Sequence, residues 1–149
     1  MAVMDLDIDT ERLVEEYGRQ YKAAILPDDI ERGTPGICFD WCALQASKNR
    51  KYTYVEGVAL DPDLARQGKE RWILHAWLTD GEHAFDPTWQ AIDKDGKQHP
   101  LPSIYIGIPM AIQAVFTFMR MTGYQGVLAN RFRLPALVDD ILAMSKVAP

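Results

Sequence analysis

The strongest constraint on this chain is a pair of strand-like segments, Arg71 to Thr79 and Glu82 to Asp86, joined at Asp80-Gly81. Asp-Gly is a favoured two-residue loop for a type I′ hairpin. With that turn Thr79 pairs with Glu82, and the same register puts His75 directly opposite Asp86. Directly opposed residues share a face of the sheet, with Cβ atoms roughly 4.5–5.5 Å apart. Trp77 falls on that face too, while Leu74, Ala76 and Leu78 fall on the other, which reads as the core side. A carboxylate beside an imidazole orients the ring and stabilises the imidazolium, as the base or ion-pair partner of a thiol requires.

The remaining pattern places elements around this hairpin. Asp9 or Thr10 can cap a first helix running to about Ala24, with Leu13, Val14, Tyr17 and Tyr21 on one stripe. Pro27, Gly33, Pro35 and Gly36 mark a loop. Ile37 to about Ser47 reads as a helix apolar nearly all round, hence a central one, with Trp41 and Cys42 among its buried types. Tyr52 to Leu60 is strand-like, and residues 61 to 70 form a polar loop. Ser103 to Ile108 reads as a short strand, Pro109 as the start of a helix to Met121, and Pro135 as the first turn of a last helix ending near Met144. Trp72 reads as core. The expected fold is α+β, one domain over residues 1–149, with an antiparallel sheet packed on the second helix and further helices at both ends.

Composition removes several function classes. A net charge of -5 with no dense Lys/Arg stripe argues against nucleic acid; Lys48-Asn49-Arg50-Lys51 is too short to provide one. The most apolar stretch, Ile104 to Met119, is interrupted by Gly107, Pro109 and Gln113 and reads as core rather than a membrane span. Met1 to Thr10 is acidic and lacks the features of a secretory signal, which gives a cytoplasmic expectation. Two cysteines four residues apart, Cys38 and Cys42, suit that compartment and make a poor frame for a disulfide.

Cys38 is the candidate nucleophile. Gly36 closes a Pro/Gly loop and helical residues follow, so Cys38 sits at a helix N-terminus. Unsatisfied N–H groups and the helix dipole there favour thiolate over thiol, an adjacent imidazolium adds to this, and the same N–H groups can serve an oxyanion. Cys42, one turn further in, reads as a small buried apolar residue.

Gly36-Ile-Cys38 opening a helix, His75-Ala-Trp77 on a strand and Asp86-Pro-Thr88 after the next strand together resemble the three motifs of the transglutaminase-like superfamily. Tyr54-Val-Glu-Gly57 stands where that family has the strand between nucleophile and histidine, and the resemblance covers residues 36 to 89. It implies a papain-like core and a catalytic triad of Cys38, His75 and Asp86. The chain departs from the family in its shortness, in Cys42 where a small residue such as Ala is usual, and in lacking an upstream Gln or Trp for the oxyanion hole.

The implied chemistry is attack of the Cys38 thiolate on an amide or ester carbonyl, giving an acyl-enzyme. Water as acceptor makes a protease or amidase, the favoured reading; an amine makes a transglutaminase or acyltransferase. The expected partner is a peptide or other amide-containing substrate, including a protein, with no cofactor. Trp77 and Trp89 are candidates to flank a substrate cleft, set against ordinary packing. Two other readings compete: a non-enzymatic binding module on the same fold, and a metal site from Cys38, Cys42, His75 and His83. The hairpin argues against the metal by turning His83 away from His75. His99, in a polar loop, reads as exposed.

Overall fold

The computed structural model of the protein describes residues 7–99, 101 and 103–147; the segment 1–6, on which much of the targeting expectation rests, lies outside them. Helix α1 (Ile8–Tyr17) is followed at once by strand β1 (Arg19–Ala24). Helix α2 (Cys38–Lys48), strand β2 (Thr53–Leu60) and a short helix α3 (Pro62–Arg66) lead into the hairpin β3 (Trp72–Thr79) and β4 (His83–Phe85). A small two-stranded ribbon, β5 (Ala91–Ile92) and β6 (Gln98–His99), precedes β7 (Tyr105–Met110), α4 (Ile112–Thr122) and α5 (Pro135–Val147). The protein is thus α+β. Among the described residues no helix is long and apolar enough to cross a membrane.

Five strands close into a barrel in the order β1-β4-β3-β2-β7. The expected antiparallel sheet is corrected here, because β1 runs antiparallel to β7 but parallel to β4. The sequence reading missed β1 by extending the first helix to Ala24. The helix stops at Tyr17 because Gly18 turns to an extended conformation (φ -82, ψ 161) while its N–H still bonds Val14 O at 2.8 Å. A Cβ at residue 18 would stand 2.3 Å from Val14 O, so glycine is needed for this abrupt exit. Asp7, rather than Asp9 or Thr10, caps the helix by accepting from Thr10 N–H at 2.7 Å. Inserting β1 beside the three-residue β4 covers an edge that would otherwise be open.

Alternation along the strands divides the core in two. Tyr54, Val58, Ala76, Leu78, Ile108 and Met110 pack with residues of α2, α4 and α5. Their neighbours of opposite parity, Val55, Ala59, Trp77 and Tyr105, join Tyr21 and Ala84 in a second cluster that fills the barrel interior. Gly57 and Gly107 pair directly across β2 and β7: Gly107 leaves space for the Trp77 indole, and Gly57 lets the β7 backbone approach closely. A Cβ on Gly107 would meet the indole at 2.6 Å, and one on Gly57 would meet Ile106 O at 2.2 Å. Gly57→Ala is therefore expected to lower stability by about 3 kcal/mol, as overpacking against backbone does, readable as a shift in the urea midpoint.

Pro109 lies within β7 rather than at a helix start. The β1 ladder ends at the Arg19–Gly107 pair, so β7 at residue 109 has a neighbour on the β2 side alone and tolerates the missing N–H. Helix α2 is not buried all round either. Cys38, Cys42, Ala43, Gln45 and Ala46 face inward, whereas Leu44 is 41% exposed. Trp41 is half-buried rather than core: its ring covers Gly33, and its Nε1 donates to Glu31 O at 2.7 Å. Trp72 is buried as expected.

Candidate active site

The hairpin exists, but its register differs by two residues from that of a tight turn. Thr79 pairs with Ala84 and Leu78 with Phe85. Asp80 is responsible: its Oδ1 accepts from Glu82 N–H at 3.0 Å and His83 N–H at 2.9 Å, and Gly81 takes φ +108, so the loop is wider. A two-residue slip leaves the facing of every side chain unchanged. His75 and Asp86 therefore still point the same way, as diagonal rather than direct neighbours, and His75 Nε2 donates to Asp86 Oδ2 at 2.7 Å.

Asp86 is held from both sides. Its Oδ1 accepts from the N–H groups of Thr88 at 3.2 Å and Trp89 at 3.1 Å, an arrangement that the Asp-Pro-Thr sequence favours because the intervening proline has no N–H to offer. Its Oδ2 accepts a second hydrogen bond, from the Tyr105 hydroxyl at 2.8 Å. Tyr105 was not singled out from the sequence; only the closure of the barrel, which brings β7 round to β1, shows it facing the interior.

Cys38 is the first residue of α2 and is 8% exposed. Gly36 precedes it at φ +96, a conformation open to glycine, and Gly33 N–H bonds Pro87 O at 2.8 Å, tying the loop before the cysteine to the Asp86 loop. One turn along α2, the Cys42 thiol meets Ala76 O at 3.5 Å and locks the helix onto the residue after His75. Residues i and i+4 share a helix face, so the same contact turns the Cys38 side of α2 toward this part of β3. The Cys38 thiol is close enough to the His75 ring to favour its protonated form. With Nε2 given to Asp86, Nδ1 is the ring nitrogen left for an interaction with Cys38.

Burial of His75 opposes its protonation, but the charge of Asp86, their hydrogen bond and the nearby Cys38 thiol outweigh it and raise the pKa from 6.5 to about 9. The Cys42 thiol is pushed well up, by burial first and then by the charge of Asp86, which makes it inert at neutral pH. The His75 shift has a definite sign in stability. A raised folded pKa contributes stability that is fully present below pH 6.5 and lost as pH rises through about 9. Melting temperature should fall between pH 7 and pH 10, and His75→Gln should flatten that fall.

The two tryptophans have different places. Trp77 is completely buried in the barrel interior, so it has no surface to offer a substrate. Trp89 stacks on His75, with ring centroids 3.8 Å apart and planes 18° apart, and remains partly exposed. It lines a cleft of about 520 Å³ with Gly33 and Pro35 from the loop before Cys38, Asp61 and Arg66 from the α3 segment, and Ile92. The metal set does not assemble. His83 bonds Asp80 at 2.9 Å in the hairpin loop, and among the described residues no group of three His, Cys, Asp or Glu side chains could hold an ion. His99 is exposed, as expected, and bonds Asp93 at 2.8 Å. The chain matches no protein-family model, no curated protein and no solved structure.

Proposed function

We propose that this protein is a cysteine-dependent hydrolase or acyltransferase of transglutaminase-like, papain-like type, acting on an amide or ester through Cys38, His75 and Asp86. The observation that carries the reading is the buried hydrogen bond between Asp86 and His75, set beside a cysteine, at the first residue of a helix, that itself favours the charged ring. In the first half-reaction the Cys38 sulfur, its proton passed to His75 Nδ1, bonds to the carbonyl carbon. The oxyanion so formed lies near the N–H groups that open α2; the first intrahelical bond is Trp41 N–H to Ile37 O, so those of Cys38, Phe39 and Asp40 have no partner in the helix. Collapse breaks the bond to the leaving amine or alcohol, which takes the proton from His75 and leaves a thioester on Cys38. In the second half-reaction water gives its proton to His75 and its oxygen to the carbonyl, and the thiolate departs. An amine in place of water would make the same site an acyltransferase or a protein-crosslinking transglutaminase.

Water is favoured as acceptor because it needs no site of its own. Trp89 and its cleft are the proposed place for the acyl side of a peptide or other amide substrate. Brief incubation with p-nitrophenyl acetate, acid quench and peptide mapping tests the reading. A 42-dalton acetyl adduct (the mass of C2H2O, about 42) on the Cys38 peptide, which then decays, is the expected result. No adduct there under any condition would leave a binding module as the better account. Asp86→Asn should slow acylation by about two to four orders of magnitude without abolishing it. The amide group turned toward His75 is a donor, and it would drive the ring proton onto Nδ1, the nitrogen that must accept from Cys38.

A further inference from the structure

We propose that Tyr105 is a positioning residue of this catalytic site, acting through Asp86 to fix the carboxylate that His75 leans on. The inference rests on the triad reading above and extends it by one residue. Its basis is geometric. The Tyr105 hydroxyl and His75 Nε2 both donate to the same oxygen, Asp86 Oδ2, at 2.8 and 2.7 Å. Thr88 and Trp89 hold the other oxygen, so all the carboxylate's bonds in the plane are taken and its rotation is blocked. Tyr105 is 1% exposed and its ring packs edge-on against Trp77 at 5.0 Å, so the hydroxyl is aimed by the barrel interior. Water would be a looser donor; a phenol on a packed strand is preorganised.

The hydroxyl stays protonated at every working pH, since burial and then the Asp86 charge push its pKa well up. It is a permanent neutral donor. A donor to a carboxylate withdraws part of its charge and so weakens its hold on the neighbouring imidazolium proton. Tyr105 therefore moderates the Asp86–His75 pair, keeping the proton available to a leaving group while holding the geometry. The other titratable groups around the pair are Cys38 and Cys42, both from α2; Glu56 on β2 acts on Cys42.

The test compares wild type with Tyr105→Phe, which removes the hydroxyl and keeps the ring. Val55→Ala, a truncation in the same interior cluster, controls for lost packing. The His75 ring is followed by NMR across pH, acetylation of Cys38 by p-nitrophenyl acetate gives the rate, and a melting curve gives stability. Tyr105→Phe is expected to raise the His75 midpoint by about half a unit or more and to slow acetylation about ten- to a hundred-fold. Val55→Ala should lower the melting temperature while leaving midpoint and rate near wild type. An unmoved midpoint in Tyr105→Phe, or an equal loss of rate in Val55→Ala, overturns the proposal. Should Tyr105→Phe fail to fold, Tyr105→Trp and Tyr105→Leu are read by the same midpoint and rate. The midpoint is measurable even if wild-type Cys38 proves unreactive, so failure of the catalytic reading and failure of the Tyr105 role give different results.

Discussion

Cys38→Ala is expected to reduce labelling by an active-site-directed electrophile to background while changing the melting temperature little. No other side chain stands where the sulfur does, and the residue at a helix start, 8% exposed, contributes modest packing. Cys42→Ala should show the opposite pattern. That thiol is completely buried against Ala76 O, so its loss should cost on the order of 1 kcal/mol and leave labelling close to wild type. Mass mapping of the labelled peptide and a melting curve for each variant separate the two. Labelling retained in Cys38→Ala and lost in Cys42→Ala would transfer the nucleophile's role to the second cysteine.

The largest loss of stability should come from a residue outside the proposed triad. Glu56 is completely buried on β2, on the helix-facing side. Its Oε2 accepts from the Tyr54 hydroxyl at 2.6 Å and Val127 N–H at 2.9 Å, and its Oε1 from Leu128 N–H at 3.0 Å. Burial raises its pKa against these three donors, which pull the other way. Glu56→Leu keeps the volume and strands three buried donors, each costing about 1–3 kcal/mol unpaired. A loss of about 3–5 kcal/mol is expected, seen as a melting temperature lower by roughly 10–15 °C. Glu56→Gln, which retains one acceptor oxygen, should lie between. The same loop reaches α2, where Gln125 bonds Asp40 and Gly126 faces the Phe39 ring. Labelling of Cys38 in Glu56→Leu should therefore fall even below its melting temperature. A near-wild-type melt would contradict the anchoring role.

The parts of the site legible from sequence were those set by local chemistry. Asp80-Gly81 announced the hairpin, and a strand's side-chain period of two meant that even a register wrong by two residues kept His75 and Asp86 on one face. Gly36 before a helix-forming run placed Cys38 within one residue of where α2 begins. What stayed hidden depended on distant contacts. Gly18 was the one local sign that the helix ends before Arg19–Ala24, set against a helical stripe running through Tyr21; pairing with β4 and β7 makes the segment a strand. Tyr105 and Glu56 owe their roles to partners on other elements, and nothing in their neighbouring residues points to those partners. Trp77 was assigned to the correct face, but that face turned out to be a barrel interior rather than a cleft, because the sheet closes.

The central claim is that His75 activates Cys38. The most direct test is the second-order rate of Cys38 alkylation by iodoacetamide at pH 7, compared between wild type, His75→Asn and an unstructured cysteine peptide. Wild type should react at least about tenfold faster than the peptide, and His75→Asn should fall to the peptide's rate or below it. A wild-type rate no higher than the peptide's, unchanged in His75→Asn, would contradict the account.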